Sequence, residues 1–228
     1  MRKIILAVLF VFFGVSNANA ASFKNVDWKT VTIKQVNDLI RAGANVNERD
    51  GAGYTPLMYA AKEEKVSVVK ALLRAGADVK VRGEDEWTPW MYAAKFNKNP
   101  ALIEILVKAG KNTLQKKTGF TPLMMSAEWN PNPAFVLRLI QLGADVNARE
   151  TKYGFTSLTY AAKNNKNPAV IETLIKAGAN IHVRDHQGRT PLMVAKDYNN
   201  TAAFSALAKA EAEETLRNKK ESAPKVAK

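Results

Sequence analysis

One feature constrains this chain more than any other: a near-repeat with a period of about thirty-three residues. Thr55-Pro56-Leu57-Met58 returns as Thr88-Pro89-Trp90-Met91, Thr121-Pro122-Leu123-Met124, Thr156-Ser157-Leu158-Thr159 and Thr190-Pro191-Leu192-Met193. Behind the first four comes a small-residue stop: Ala75-Gly76-Ala77-Asp78, Ala109-Gly110-Lys111-Asn112, Leu142-Gly143-Ala144-Asp145 and Ala177-Gly178-Ala179-Asn180. An earlier stop, Ala42-Gly43-Ala44-Asn45, marks the N-terminal piece as half of one more unit. A fixed period of this length predicts a solenoid, in which each unit buries its apolar face only against its neighbours. Such a chain presents surface rather than one enclosed pocket.

Each unit predicts two short helices. Thr55 is an N-cap residue type, and Pro56 suits the first helical position, where a missing N–H costs nothing. At 100° per residue, Leu57, Ala60 and Ala61 share one side, with Tyr59, Lys62 and Glu63 on the other. Val66, Val69, Leu72 and Leu73 space a second helix, and Gly76 stops it. Between the helices, Asn97-Lys98-Asn99-Pro100, Asn130-Pro131-Asn132-Pro133 and Asn165-Lys166-Asn167-Pro168 each add one residue relative to Glu63-Glu64-Lys65. Asn followed by Pro is a helix start, so Asn99, Asn132 and Asn167 are expected to cap the second helices.

On these motifs the chain resembles the ankyrin-repeat family over roughly residues 28 to 210. The family's turn and first helix are matched by Asp50-Gly51-Ala52-Gly53-Tyr54-Thr55-Pro56-Leu57 and Asp185-His186-Gln187-Gly188-Arg189-Thr190-Pro191-Leu192, and its exit by Gly143-Ala144-Asp145-Val146-Asn147. The resemblance implies an all-α solenoid of stacked helix-turn-helix units joined by β-hairpin-like turns. Its expected divisions are a capping half-repeat at 21–50, full repeats at 51–83, 84–116, 117–150 and 151–184, and a fifth repeat with C-terminal cap at 185–217. Where the family has a histidine after Leu, this chain has Met58, Met91, Met124, Thr159 and Met193. The turns are therefore expected to depend more on packing. The exit of the third unit, Lys111-Asn112-Thr113-Leu114, departs from the pattern. The final helix, read over 202–217, is expected to keep Phe204 and Leu207 for the core.

The resemblance also implies a binding surface, the concave face of turn tips and first helices. Carried over position by position, the tips present Tyr54, Trp87, Phe120 and Phe155, and the expected exposed first-helix positions present Tyr59, Tyr92 and Tyr160, with Met125 and Val194 in that column. Lys62, Lys95, Lys163 and Lys196 form the next column, interrupted by Glu128, with Phe96 and Trp129 beside it. Aromatics supply contact area at low entropy cost and lysines supply steering. Trp87, Phe96 and Trp129 are the expected anchors. The implied function is a non-catalytic protein–protein interaction module with no cofactor, no metal and no small-molecule substrate.

The ends add an address and a charge. Arg2 and Lys3, an apolar run from Ile4 to Val15 and the small-x-small Ala18-Asn19-Ala20 read as a cleavable export signal over 1–20. The expected location is the periplasm of a bacterium, or secretion from it, where the chain has no cysteine for a disulfide. Formal charge is +13, and +11 once Arg2 and Lys3 are removed. An acidic protein fits that sign, as do an anionic envelope polymer or a membrane surface. Export argues against nucleic acid. Residues 218–228 are read as a basic disordered tail. The rival readings are a secreted effector that binds a host or competitor protein, and a structural envelope component that holds anionic polymer by charge. No catalytic motif is present, and His182 and His186 are read as exposed loop residues.

Overall fold

The computed structural model describes residues 21–84, 86–110 and 119–222. The leader read over 1–20, the departing exit at 111–114 and the last residues, 223–228, lie outside that range.

Eleven helices and no strand occur among the described residues. A capping helix, α1 (Ile33–Arg41), precedes five helix pairs: α2 (Pro56–Lys62) with α3 (Val66–Arg74), α4 (Pro89–Phe96) with α5 (Pro100–Gly110), α6 (Pro122–Trp129) with α7 (Pro133–Gln141), α8 (Ser157–Asn164) with α9 (Pro168–Lys176), and α10 (Pro191–Asp197) with α11 (Thr201–Ser222). First helices pack on first helices in the order α2, α4, α6, α8, α10, and second helices follow in a parallel layer from α1 through α3, α5, α7 and α9 to α11. This is an all-α repeat solenoid.

The local reasons are those of the sequence, with corrections. Thr121, Thr156 and Thr190 accept hydrogen bonds from the third N–H of their helices. The hydroxyls of Thr55 and Thr88 make none, although both residues are buried. The methionines do more than pack. The backbone N–H groups of Thr55 and Thr121 donate to the Sδ atoms of Met58 and Met124, each at 3.4 Å, so a thioether closes those two turns. In α11, Ala203 and Leu207 are buried but Phe204 is exposed, because the helix meets α8, α9 and α10 along a narrower stripe than expected. The same helix continues to Ser222, so residues 218–222 are helical where a tail was expected.

The asparagine motif carries two ladders, the expected caps and a buried line of side-chain amides. Asn99, Asn132 and Asn167 cap through their Oδ1 atoms, which accept from Ala101, Ala134 and Ala169 N–H. Asn132 and Asn167 also donate from Nδ2 to the carbonyls of Lys98 and Pro131 in the preceding unit. Two residues earlier, Asn97, Asn130 and Asn165 are buried, and Asn200 joins them. Their Nδ2 atoms donate to Ala61, Ala94, Ala127 and Ala162 O respectively, the orphan carbonyls at the C-terminal end of the first helix one unit back. Asn130, Asn165 and Asn200 also reach the carbonyls of Asn97, Asn130 and Asn165. A continuous line of side-chain amides therefore stitches each unit to the one before it. In the first repeat, whose loop is one residue shorter, Lys65 Nζ instead reaches back to Lys29 O at 2.7 Å.

The second turn is the weak one. At the position held by Gly53, Gly119, Gly154 and Gly188, all with positive φ, stands Glu86 at φ 62°. A left-handed conformation costs a side-chain-bearing residue about 1–2 kcal/mol, against about 0.5–1 kcal/mol for glycine's extra unfolded-state entropy. The Arg82–Glu86 ion pair, 3.6 Å long with Glu86 well exposed, contributes little. Glu86→Gly is therefore expected to raise stability by about 0.5 kcal/mol in urea unfolding. A lowered midpoint would mean that the turn holds Glu86 by something other than its backbone.

Candidate interaction face

Aromatic rings run along the first-helix side in two groups. The first begins outside the repeats. Phe23 stacks on Trp28 at 6.0 Å and Trp28 lies almost parallel to Tyr59 at 5.6 Å. The chain of rings continues through Tyr54, Tyr92 and Trp87 to Phe96, with centroid separations of 5.3–6.4 Å. The second group joins Phe120, Tyr160, Phe155 and Tyr153 by tilted and edge-on contacts. Such pairs add about 0.5–1.5 kcal/mol each beyond area burial, so the rings brace neighbouring units as well as facing outward.

That bracing corrects the expected exposure. Tyr92, Phe155 and Tyr160 are buried because neighbouring rings lie over them, and Met125 and Val194 are buried as well. Burial raises the Tyr160 hydroxyl's pKa, with Glu150 and Glu128 adding to the effect. Tyr54, Tyr59, Trp87 and Phe120 are half-buried. Of the three expected anchors, Phe96 at 42% and Trp129 at 44% are the exposed ones. These two keep the anchor role open to them, while Trp87 stands partly behind Phe96.

Turn acids hold the tips. Asp50 Oδ1 accepts from the N–H groups of Ala52 and Tyr54, and its Oδ2 accepts from the Tyr59 hydroxyl at 2.6 Å. Burial pushes the Asp50 carboxyl up, but these hydrogen bonds outweigh it and hold the group below the usual carboxylate range. Burial, reinforced by Asp50, raises Tyr59 to about 12, so at neutral pH the phenol is the donor. Asp185 fixes the last tip likewise, accepting from Gln187 and Arg189. Arg189, which precedes Thr190 at that tip, is held in place, since its guanidinium bridges Asp185 and Asp197. Beside the first tip, Trp28, Tyr54, Tyr59, Lys29 and Lys62 border a cleft of about 410 Å³.

The lysine column divides in two. Lys163 is tied down: its Nζ lies 3.3 Å from Oε1 of the buried Glu128, which also accepts from Asn164 Nδ2. Lys95 lies among rings instead, with Nζ 5.0 Å from the Trp87 centroid, 5.2 Å from Phe96 and 4.6 Å from Trp129. Lys62 approaches Phe96 at 5.6 Å. Lys196 is exposed. Of the two histidines, His182 meets Glu214 of α11 at 2.8 Å and His186 faces Lys152 O, so both join parts of the fold. No cluster of metal-ligating residues occurs among the described residues, and no helix there is long and apolar enough to cross a membrane.

Phe23 and Trp28 lie outside the repeat register, so no column in the sequence marks them as members of this face. A family model described as ankyrin repeats (3 copies) matches residues 29–113, 58–150, 90–185 and 158–223. No curated protein matches the chain.

Proposed function

The chain belongs to the ankyrin-repeat family, and from that membership we propose a non-catalytic docking module that seats a protein partner on the aromatic and lysine face of its first helices. Ankyrin repeats are generally protein–protein interaction modules and typically non-catalytic scaffolds. The observation that carries the reading is the exposure of Phe96 and Trp129 side by side with Lys95 at the centre of the stack. Tyr153 in the second group is also exposed, but the lysine beside it, Lys152, faces that single ring, against three around Lys95. A solvated aromatic pair around a cation is the composition of an interface core, and such anchors carry a large share of binding energy. The partner we infer has an acidic surface, by the sign of the chain's charge. We place the encounter outside the cytoplasm, on the order of charged, apolar and small residues over 2–20.

The test is capture of partners from an envelope fraction by tagged protein, beside a Phe96→Ala/Trp129→Ala variant with native circular dichroism. Both side chains are surface-exposed, so the variant should fold. Truncating two anchors is expected to weaken a genuine partner by about a hundredfold or more. Equal recovery by both proteins would sink the proposed face.

A further inference from the structure

We infer that Lys95 is a counter-ion seat, built to receive one carboxylate from an acidic segment of the partner with apolar side chains on either side of it. The inference rests on the docking reading above and names what that face selects. Trp87, Phe96 and Trp129 come from the second turn, the end of α4 and the end of α6, and all three approach the same ammonium. The rings offset part of Lys95's lost hydration, since their faces attract a cation. They leave its charge unneutralised.

The chain itself shows what a lysine in this column takes as a partner. One unit beyond Lys95 the column holds Glu128, and beyond that Lys163, whose ammonium pairs with Glu128 at 3.3 Å. Among the described residues neither Lys95 nor Lys62 forms an ion pair, and Glu128 is already engaged by Lys163 and Asn164. Lys62 and Lys95 both lie within 6 Å of the Phe96 centroid, so each raises the potential that the other experiences. A partner carboxylate at Lys95 would supply what Glu128 supplies to Lys163, in a setting where water is partly displaced and a charge pair is stronger than on an open surface. A cationic ligand for the same rings is disfavoured, because it would share them with Lys95 and approach a chain of charge +13. The flanking exposed rings, Phe96 and Trp129, set the second requirement: apolar side chains beside the acid.

The experiment pans a random twelve-residue peptide display library against the wild type, Lys95→Met, Lys196→Met and Phe96→Ala/Trp129→Ala. Binding of the selected peptides and of phosphatidylglycerol vesicles is then measured by anisotropy and co-sedimentation. The expected result is enrichment of Asp or Glu beside apolar residues, with Lys95→Met weakening those peptides about tenfold and Lys196→Met less than about twofold. Equal weakening by both lysine variants would overturn the local seat in favour of diffuse charge. Selected peptides without acids that still need Phe96 and Trp129 would overturn the seat and leave the docking face standing. Acid-free selection together with Lys95-dependent vesicle binding would replace a protein carboxylate with a lipid phosphate. Recovery of no peptide sensitive to either set of variants would overturn both readings.

Discussion

Replacing Asn130 by alanine is expected to cost the stack about 3–4 kcal/mol, although it removes only a small side chain from a loop. Asn130 is 1% exposed and its side chain makes three hydrogen bonds. Nδ2 donates to Ala94 O at 2.9 Å and Asn97 O at 2.7 Å, and Oδ1 accepts from Asn132 N–H at 2.9 Å. Alanine leaves two carbonyls and one N–H without partners where water has little access, at about 1–3 kcal/mol for each fully buried group. Local relaxation and water entry recover part of that, which sets the expected total. Against an ordinary stability of about 5–15 kcal/mol the loss is large, and it should lower the thermal midpoint by roughly 10 °C. Asn132→Ala is the control. Asn132 also donates across units, to Lys98 O, and caps α7, but this ladder is open to solvent, so about 1 kcal/mol is expected. Urea unfolding followed by circular dichroism separates the two. If both variants lose the same 1 kcal/mol, the buried amide line adds nothing beyond capping.

That contrast shows how far the sequence could be read. The Asn-x-Asn-Pro motif revealed its second asparagine, because a cap is a local matter of one side chain and the next two N–H groups. The first asparagine acts on carbonyls more than thirty residues earlier, and no local rule reports that partner. The helices themselves were legible for the same reason. Threonine, proline and apolar spacing act within a turn or two of where they stand. Exposure on the face was less legible. A helical wheel turns Tyr92 and Tyr160 outward from their own helices, but Tyr54 and Trp87 lie against Tyr92, and Phe120 and Phe155 against Tyr160. Stacking decides their burial. The Lys95 seat hides in the same way, since Trp129 belongs to the following unit. Glu128, which looked like a break in a lysine column, is the buried acid that neutralises Lys163.

Gly119→Ala is expected to cost more than about 4 kcal/mol, and a second glycine separates the two causes. Gly119 has φ 83°, and a Cβ there would stand 2.5 Å from Glu150 Cα and 2.7 Å from Thr151 N. Both obstacles are backbone, so no rotamer change relieves them, and the third turn would have to move away from the fourth. Gly43 has the same φ of 83°, with nothing within 4 Å of its Cβ position. Gly43→Ala therefore carries the left-handed penalty alone, about 1–2 kcal/mol, less a gain of about 0.5–1 kcal/mol from the stiffer unfolded chain. The difference between the variants, about 3 kcal/mol, measures the close approach of successive turns. In a solenoid that approach sets the register in which Phe120 meets Tyr160 across units. Gly119→Ala should accordingly make the Phe120 and Tyr160 rings more mobile in aromatic nuclear magnetic resonance spectra, while Gly43→Ala leaves them unchanged. Equal losses for the two variants would mean that the third and fourth turns adjust freely, and that the spacing of the face is held by the helices alone.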